Sequence, residues 1–363
     1  MPDNPAAGGH ERADALVTGL VLIAVLIAVA VVTQAIGSLV LTRFVIRMFI
    51  DVVLVMGLQM FMGNTNILWF PHIGYMGIGA YASVLLSMTP IQKMLSLPDL
   101  YPVLAGISIP FLPAILAGAA FTAVVAAVSG LPLMRLSDFA AVIASFALLI
   151  VIHVVLTHWN QVTNGPQTLF GVARRTGLWN TAVWACLFIG IAVVFKESKA
   201  GLQLRASRDD LVAARAIGIN ITMVRWLALV LSAFAAGIAG GLFAHFITSF
   251  TPRAFFLSQT FVILAMLVIG GPATVTGGVV GTLLVTIVYQ GLRWTENTLN
   301  VMQVFPGNIV GLTDFTLAVA LIGMLILRPA GLVERHEVGR FVLSRLPSRR
   351  SLAAASRLGR MER

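Results

Sequence analysis

Long apolar runs recur along the chain and are separated by short polar or glycine-rich stretches. Uninterrupted apolar runs of about 18 residues or more are typical of transmembrane helices. The pattern predicts an all-α, polytopic integral membrane protein with about ten spans, some of them broken or re-entrant. We place these spans at Ala15–Ile36, Phe44–Met62, Ile67–Ser87, Tyr101–Ser129, Phe139–His158, Leu178–Phe195, Thr222–Ile247, Ala254–Ile269, Thr276–Leu292 and Leu312–Leu327.

Two of these spans open on residues that disfavour a helix, in the stretches Gly63–Gly74 and Gly270–Gly281. Non-helical backbone at membrane depth is tolerated where it is buried in protein or lines a cavity. Broken helices in transporters also offer free backbone groups to substrates. Each stretch therefore has two interpretations, a turn with tight small-residue packing or a lining of a translocation path, and the two stretches could face each other. The candidate path residues are Asn66, Trp69, Pro71, His72, Gly74, Gly77, Gly79, Gly270 and Gly271.

Composition agrees with a membrane protein, since 58% of the 363 residues are hydrophobic and only 10% are charged. The mean hydropathy is +0.95. The net charge of +10 is concentrated between Lys196 and Arg225 and beyond Arg335. Because cytoplasmic loops carry excess Lys and Arg, membrane topology explains this charge and no nucleic-acid partner is expected. Both termini and the 196–221 loop are predicted to be cytoplasmic.

The predicted organisation is a cytoplasmic segment at 1–14, one permease-like membrane domain at 15–332 and a basic cytoplasmic tail at 333–363. The tail has two interpretations, a solvated segment or a helix that rests on anionic membrane lipid.

The sequence lacks the residues that several enzymatic and transport mechanisms require. None of the three lysines follows a glycine, so there is no Gly-Lys-Ser/Thr phosphate loop for ATP hydrolysis. We predict no catalytic residues, no metal site and no cofactor. An ion-coupled carrier needs ionisable groups within the membrane, and only Arg47 and Asp51 lie clearly within a span. Their spacing of four predicts an ion pair on one helix face.

The charged stretch RDDLVAARAIGIN, residues 208–220, interrupts the apolar chain. Acidic residues favour a helix N-terminus, alanines favour the helix itself, and glycine favours a chain reversal at its end. The stretch therefore predicts a short helix with a small-residue face on which another protein could dock. A plain amphipathic linker is the alternative. The candidate docking residues are Asp209, Asp210, Ala213, Ala214, Arg215 and Gly218.

Ala213, Ala214 and Gly218 resemble the Ala-Ala-x-x-x-Gly coupling loop of ABC-importer permeases. Further segments between about residues 56 and 332 resemble the membrane subunit of branched-chain (hydrophobic) amino acid ABC importers, of the larger of the two permease types. These segments are GLPLMRLSDFAAVIASFALLIVIHVVL, TNGPQTLFGV, ILAMLVIGGPATVTGGVVG and RPAGL. The 333–363 tail is largely outside the resemblance.

The resemblance implies a permease of the bacterial inner membrane that moves a solute by alternating access. It also implies three kinds of protein partner, namely a second permease subunit, two ATPase subunits and an extracytoplasmic solute-binding protein, and the apolar spans imply membrane lipid as a further partner. A passive channel or a secondary carrier for urea, short amides or small organic acids is the alternative.

The sequence departs from the family pattern in the first break, where Asn66, Ile67, Trp69 and Pro71 stand in place of common Gly, Gln, Ser and Gly residues. These substitutions predict a narrower and more apolar path, in which Trp69 gates or the solute is not an ordinary branched-chain amino acid.

Overall fold

The structure, a computed structural model, describes residues 5–302, 311–328 and 331–333. The described chain is almost entirely helical. The helices are α1 Pro5–Ile36, α2 Leu39–Leu58, α3 His72–Ser87, α4 Pro90–Ser96, α5 Pro102–Ala105, α6 Phe111–Leu133, α7 Asp138–His158, α8 Asn160–Thr163, α9 Leu178–Glu197, α10 Lys199–Asp209, α11 Leu211–Ala216, α12 Ile221–Ile247, α13 Leu257–Gly270, α14 Val275–Val301 and α15 Leu312–Leu327. A π-helical turn, Gln59–Gly63, follows α2, and a 3₁₀ turn, Pro252–Phe255, precedes α13.

The all-α, multi-pass fold is confirmed, and the helix ends correct several predicted spans. Within the described residues, seven helical segments are long and apolar enough to cross a membrane. Of the three other predicted spans, α2 carries three charged residues, and α3 and α15 have only 16 residues each. The span predicted at Tyr101–Ser129 is two helices, because the chain leaves the helix between Gly106 and Pro110. The N-terminal segment 1–14 already enters α1 at Pro5, and the predicted tail beyond Val333 lies outside the described residues.

The centre of the bundle is a three-helix contact between α3, α6 and α12. Glycines bring these helices together, because a Cβ atom at Gly79 or Gly237 would overlap the backbone of the neighbouring helix. Gly118 of α6 likewise has the Ser83 backbone nitrogen of α3 2.9 Å from the position of a Cβ atom. Small residues at helix contacts are the usual solution in membranes, where no hydrophobic force drives helices together and close backbone contact supplies van der Waals energy.

The bundle has two ends, which the loops identify. The salt bridge from Arg225 to Asp138, at 2.8 Å, places the starts of α12 and α7 beside each other and next to the 196–221 loop. We call this end the loop end. At the opposite end, a single antiparallel bridge joins Leu169 to Phe250, with both backbone hydrogen bonds 3.0 Å long.

Candidate functional site

The 196–221 loop folds as two short helices, α10 and α11, that meet at Asp210. The Asp210 carboxylate accepts hydrogen bonds from the backbone N–H groups of Val212 (2.8 Å) and Ala213 (3.0 Å). An aspartate at this position satisfies two of the N–H groups that the first turn of a helix leaves unpaired. Asp209 is the last residue of α10. The acidic start and the helical alanine run of the predicted segment are thus present.

The exposed face of the α11 segment carries large apolar side chains. Val212 is 77% exposed and Ile217 is 75% exposed, and Ala213 and Arg215 are also exposed. Ala214 faces inward and is buried. Val212 lies on this six-residue helix and Ile217 directly follows it, so the α11 segment exposes two large apolar side chains. Exposed apolar patches often mark contact surfaces.

Gly218 ends the α11 segment with φ +84°, a conformation that L side chains rarely adopt. The backbone N–H of Ile219 then bonds to the Ala214 carbonyl at 3.1 Å, which closes the reversal into α12.

The first break begins with the π-turn at the end of α2 and continues as a non-helical segment at residues 66–71. Asn66 is exposed and has φ +59°. Pro71 immediately precedes α3, which starts at His72 and not at the predicted Ile67. A proline disfavours helix at the residue before it, which explains the late start.

His72 fixes the start of α3 deep within the bundle. Its Nε2 lies 2.8 Å from the Leu54 carbonyl oxygen, and its Nδ1 lies 3.3 Å from the Ser232 hydroxyl. Ser232 is near the middle of α12, and Leu54 is about three turns before the helical chain ends. Residues 66–71 therefore connect the end of the helical chain, at the loop end, to about mid-depth in the bundle.

The predicted glycine face of α3 is a packing face in this conformation. Gly74 lies against Ile152 of α7, and Gly77 lies against Leu156 and Phe255, at 3.0 Å or more from a Cβ position. Gly79 lies against α12, as described above. These three glycines set helix distances, and their backbone is covered by neighbouring helices.

The second break joins α13 to α14, and it meets the first. Gly270 packs on Gly277 and Gly281, and Gly271 ends α13 with φ +117°. The Pro272 carbonyl lies directly against Gly63, where no Cβ atom could fit. The structure therefore brings the two glycine-rich stretches into contact at the loop end.

Two buried polar side chains beside the first break make no hydrogen bond to any described residue. Gln59, within the π-turn, has both polar atoms of its amide unpaired, and Trp69 has its indole Nε1 unpaired. Both side chains are 0% exposed, and the Trp69 ring packs on Phe61 with 5.0 Å between centroids. Unpaired buried polar groups are costly, and π-turns occur often at functional sites. Gln59 was not among the predicted site residues, although a glutamine inside an apolar span is a visible signal in the sequence.

The predicted ion pair between Arg47 and Asp51 is confirmed, with Nε to Oδ2 at 3.1 Å. The arginine also lies over the Phe243 ring, 4.6 Å from its centroid. The carboxylate side chain is 3% exposed, so the pair is held within the bundle. Both charges belong to one helix and sit away from either break.

A cavity of about 600 Å³ lies between α3, α6 and α7. Its lining is almost wholly hydrocarbon and takes in Ile78, Phe121, Val125 and Ile152. Its lining includes no residue of 59–71 or 270–274, so this cavity is separate from the two breaks.

Comparison with known proteins decides the family. The profile described as "Branched-chain amino acid transport system / permease component" matches residues 40–327, which is most of the chain. The chain belongs to this family. Its match covers both breaks, the 196–221 loop and the helices that hold them, so the resemblance seen in the short segments extends over the membrane domain.

Curated relatives carry consistent names. The chain is 24% identical over 279 residues to the Salmonella typhimurium high-affinity branched-chain amino acid transport system permease protein LivM. It is 23% identical over 278 residues to the Escherichia coli protein of the same name. In both cases the match covers 67% of this chain and 61% of the relative, so it spans about six-tenths of their length. A probable branched-chain amino acid transport permease protein LivH of Methanocaldococcus jannaschii is 26% identical over 255 residues, which is 65% of this chain and 75% of the relative. No solved structure matches the chain.

Proposed function

We propose that this chain is the transmembrane permease subunit of an ATP-binding-cassette importer in the bacterial inner membrane. It translocates branched-chain or other hydrophobic amino acids, or a related small solute, by alternating access. Separate ATPase subunits hydrolyse the ATP. Family membership and the multi-pass helical fold support transport, and the shape of the 196–221 loop supports coupling to an ATPase.

The observation that carries the proposal is the exposed apolar face of α11. In a chain whose other exposed apolar residues lie mainly on long helices that face lipid, this face projects on a charged loop. Outside the membrane, such an apolar surface is typically buried by a partner protein. The docking segment comprises Asp209, Asp210, Ala213, Ala214, Arg215 and Gly218, with Val212 and Ile217 added by their exposure.

We place the translocation path at the two breaks. The candidates Asn66, Trp69, Pro71 and His72 belong to the non-helical segment and the start of α3, and Gly270 and Gly271 belong to the break that touches it. In the described conformation the breaks close on each other through Gly63 and Pro272. Separation of these contacts opens the path toward the loop end, which we assign to the cytoplasm together with both termini.

The implied assembly contains a second permease subunit, two ATPases and an extracytoplasmic solute-binding protein. Membrane lipid surrounds the exposed apolar faces of the long helices. The chain itself needs no cofactor in this scheme, because the ATPases bind the nucleotide.

Co-purification with the ATPases tests the proposal. The chain is co-expressed with its candidate ATPases and captured by a tag, as native protein and as Ala213→Arg. Ala213 is the best position because its side chain is exposed, whereas Ala214 is buried and Gly218 has a positive φ. Ala206→Arg on α10 is the matched control, because Ala206 is also exposed and lies outside α11.

We expect ATPase recovery to be lost in Ala213→Arg and kept in Ala206→Arg. Equal loss in both variants would mean that α11 is not the contact. If native protein recovers no ATPase, ATP-driven import is wrong, and passive flux of urea and short amides becomes the function to measure.

A further inference from the structure

We propose that Arg208 is the positioning residue that transmits movement of the 196–221 loop to the first break. This inference rests on the proposed function, since it assumes that an ATPase moves the loop. It adds a residue that neither the sequence pattern nor the family description assigns to coupling.

Arg208 makes a direct contact between two segments far apart in sequence. Its Nη1 atom donates a hydrogen bond to the Gly63 carbonyl oxygen at 2.9 Å. The arginine occupies the last turn of α10, one residue before the α10–α11 junction at Asp209–Asp210. A shift of α11 therefore acts on the guanidinium through a very short piece of backbone.

The Gly63 carbonyl is available because the helix stops soon after it. The helix ends at Thr65 and Asn66 has φ +59°, so the last carbonyls of the helix lack their usual backbone donors four residues ahead. The backbone N–H of Ile67 instead bonds to the Thr65 hydroxyl at 3.3 Å. A guanidinium donor makes a charge-assisted bond that is stronger than a neutral one.

The same glycine contacts the second break. Its Cα faces the Pro272 carbonyl so closely that no side chain could be inserted. The second break is in turn held by the segment after α15, where the Leu332 and Val333 N–H groups bond to the Ile269 and Gly270 carbonyls, both at 2.9 Å. Arg208 is thus a polar side-chain link between the loop and the point where both breaks meet.

The neighbouring Arg205 makes contacts only with residues close to it in sequence, among those that the structure describes. Arg205, one turn earlier on α10, donates to the Lys196 carbonyl at 2.9 Å and lies 3.6 Å from the Glu197 carboxylate. These contacts stay within the junction of α9 and α10. Arg205 and Arg208 share a helix and an intermediate exposure, so Arg205 is the matched control.

The test measures whether ATP moves the first break. In the reconstituted complex with its ATPases, Cys186, the single cysteine, is replaced by alanine, and Leu68→Cys supplies a label site. Leu68 is 41% exposed and lies in the non-helical segment. The labelling rate with a water-soluble maleimide is compared with and without ATP, while ATP hydrolysis and ATPase recovery are measured in parallel.

With native Arg208 we expect ATP to change the labelling rate. In Arg208→Met we expect that change to be lost while ATPase binding and hydrolysis remain, which a merely structural defect would not produce. Arg208→Lys keeps a cationic donor and should restore part of the change, and Arg205→Met should behave as native. Arg208→Ala, which also removes the donor, serves the same purpose if the methionine variant cannot be purified.

An ATP-dependent change that persists in Arg208→Met, or an equal loss in Arg205→Met, overturns the role of Arg208. A native complex that hydrolyses ATP without any change at Leu68→Cys also overturns it, but leaves ATPase docking intact. Failure to recover ATPases with native protein overturns the proposed function as well.

Discussion

Gly79 of α3 and Gly237 of α12 pack backbone against backbone, and neither position has room for a methyl group. This contact lies in the central three-helix cluster, so a single Cβ atom must push two helices apart. Insertion of extra carbon into a well-packed core costs about 1–3 kcal/mol. The pair therefore sets the distance on which the position of the first break depends.

We expect Gly79→Ala to lower the free energy of unfolding by about 1–3 kcal/mol. The measurement is the thermal midpoint of the purified protein in detergent. Gly190→Ala is the control, because Gly190 lies within α9 with no described atom within 4 Å of a Cβ position. Alanine there should be neutral or stabilising by up to about 1 kcal/mol, since it favours helix over glycine. Equal effects of the two variants would contradict the packing interpretation.

The Arg47–Asp51 pair should behave as a structural unit. Arg47→Met leaves a carboxylate that is only 3% exposed without its partner, and loss of one partner of a buried pair costs about 3–5 kcal/mol. The double variant Arg47→Met/Asp51→Asn should regain most of this stability, because no unpaired charge remains. A double-mutant cycle on detergent thermal midpoints gives the coupling energy.

Uptake distinguishes the pair's structural role from ion coupling. If the stable double variant retains solute uptake, the pair is not a proton or ion site. Complete loss of uptake in that variant, with unchanged folding, would instead favour the secondary carrier.

We expect Gln59→Met to raise the stability of the protein and to slow solute uptake. Methionine matches the length of glutamine and removes two polar atoms that have no partner among the described residues, so we expect a gain of about 1–3 kcal/mol in stability. We also expect slower uptake, because a costly polar group retained in the π-turn fits a role in contacting solute when the breaks separate. Thermal midpoint and radiolabelled leucine uptake are measured on the same preparation. A stabilised variant with native uptake would assign Gln59 no role in the path.

Trp69→Phe is a sharper test of gating than Trp69→Ser. The indole is fully buried, so serine leaves a large cavity that costs about 3–5 kcal/mol of stability. A loss of uptake in Trp69→Ser would then not distinguish misfolding from a change in gating. Phenylalanine keeps a ring against Phe61 and enlarges the space modestly. If Trp69 gates the path, uptake of phenylalanine relative to leucine should increase. Phe70→Leu is the control, since Phe70 packs edge-on against Phe146 of α7. Unchanged selectivity in Trp69→Phe would contradict a gating role for Trp69.

The late start of α3 shows how much of the structure of the first break could be predicted from the sequence. The glycines, asparagines and proline marked an interruption, and the proline rule indicates that the helix begins at about Pro71. The apolar residues Ile67–Phe70 nevertheless resembled a span, because hydropathy does not separate extended from helical backbone. The hydrogen bonds of His72 to Leu54 and Ser232, which place the break at mid-depth, join residues that no local pattern connects.

Helix α11 shows the same division. Its cap at Asp210 and its reversal at Gly218 follow from local backbone chemistry, and both are present. Which alanine faces outward depends on how α11 lies against the rest of the loop, and the structure turns Ala213 outward and Ala214 inward. The bond from Arg208 to Gly63 also required the tertiary fold, since the two residues are 145 positions apart.

The sequence by itself determined the class of the protein, most of its helical spans, the two breaks and the loop with its capped helix. These features depend on apolar length, on the conformational limits of glycine and proline, and on charge, all of which are local. Tertiary structure decided which helices touch, that the breaks meet at Gly63 and Pro272, and that Arg208 reaches them. In a lipid environment every face of a span is apolar, so hydropathy carries little information about the face that binds another helix. Close backbone contact at glycines and rare polar bonds decide that question, and both exist only once the helices are assembled.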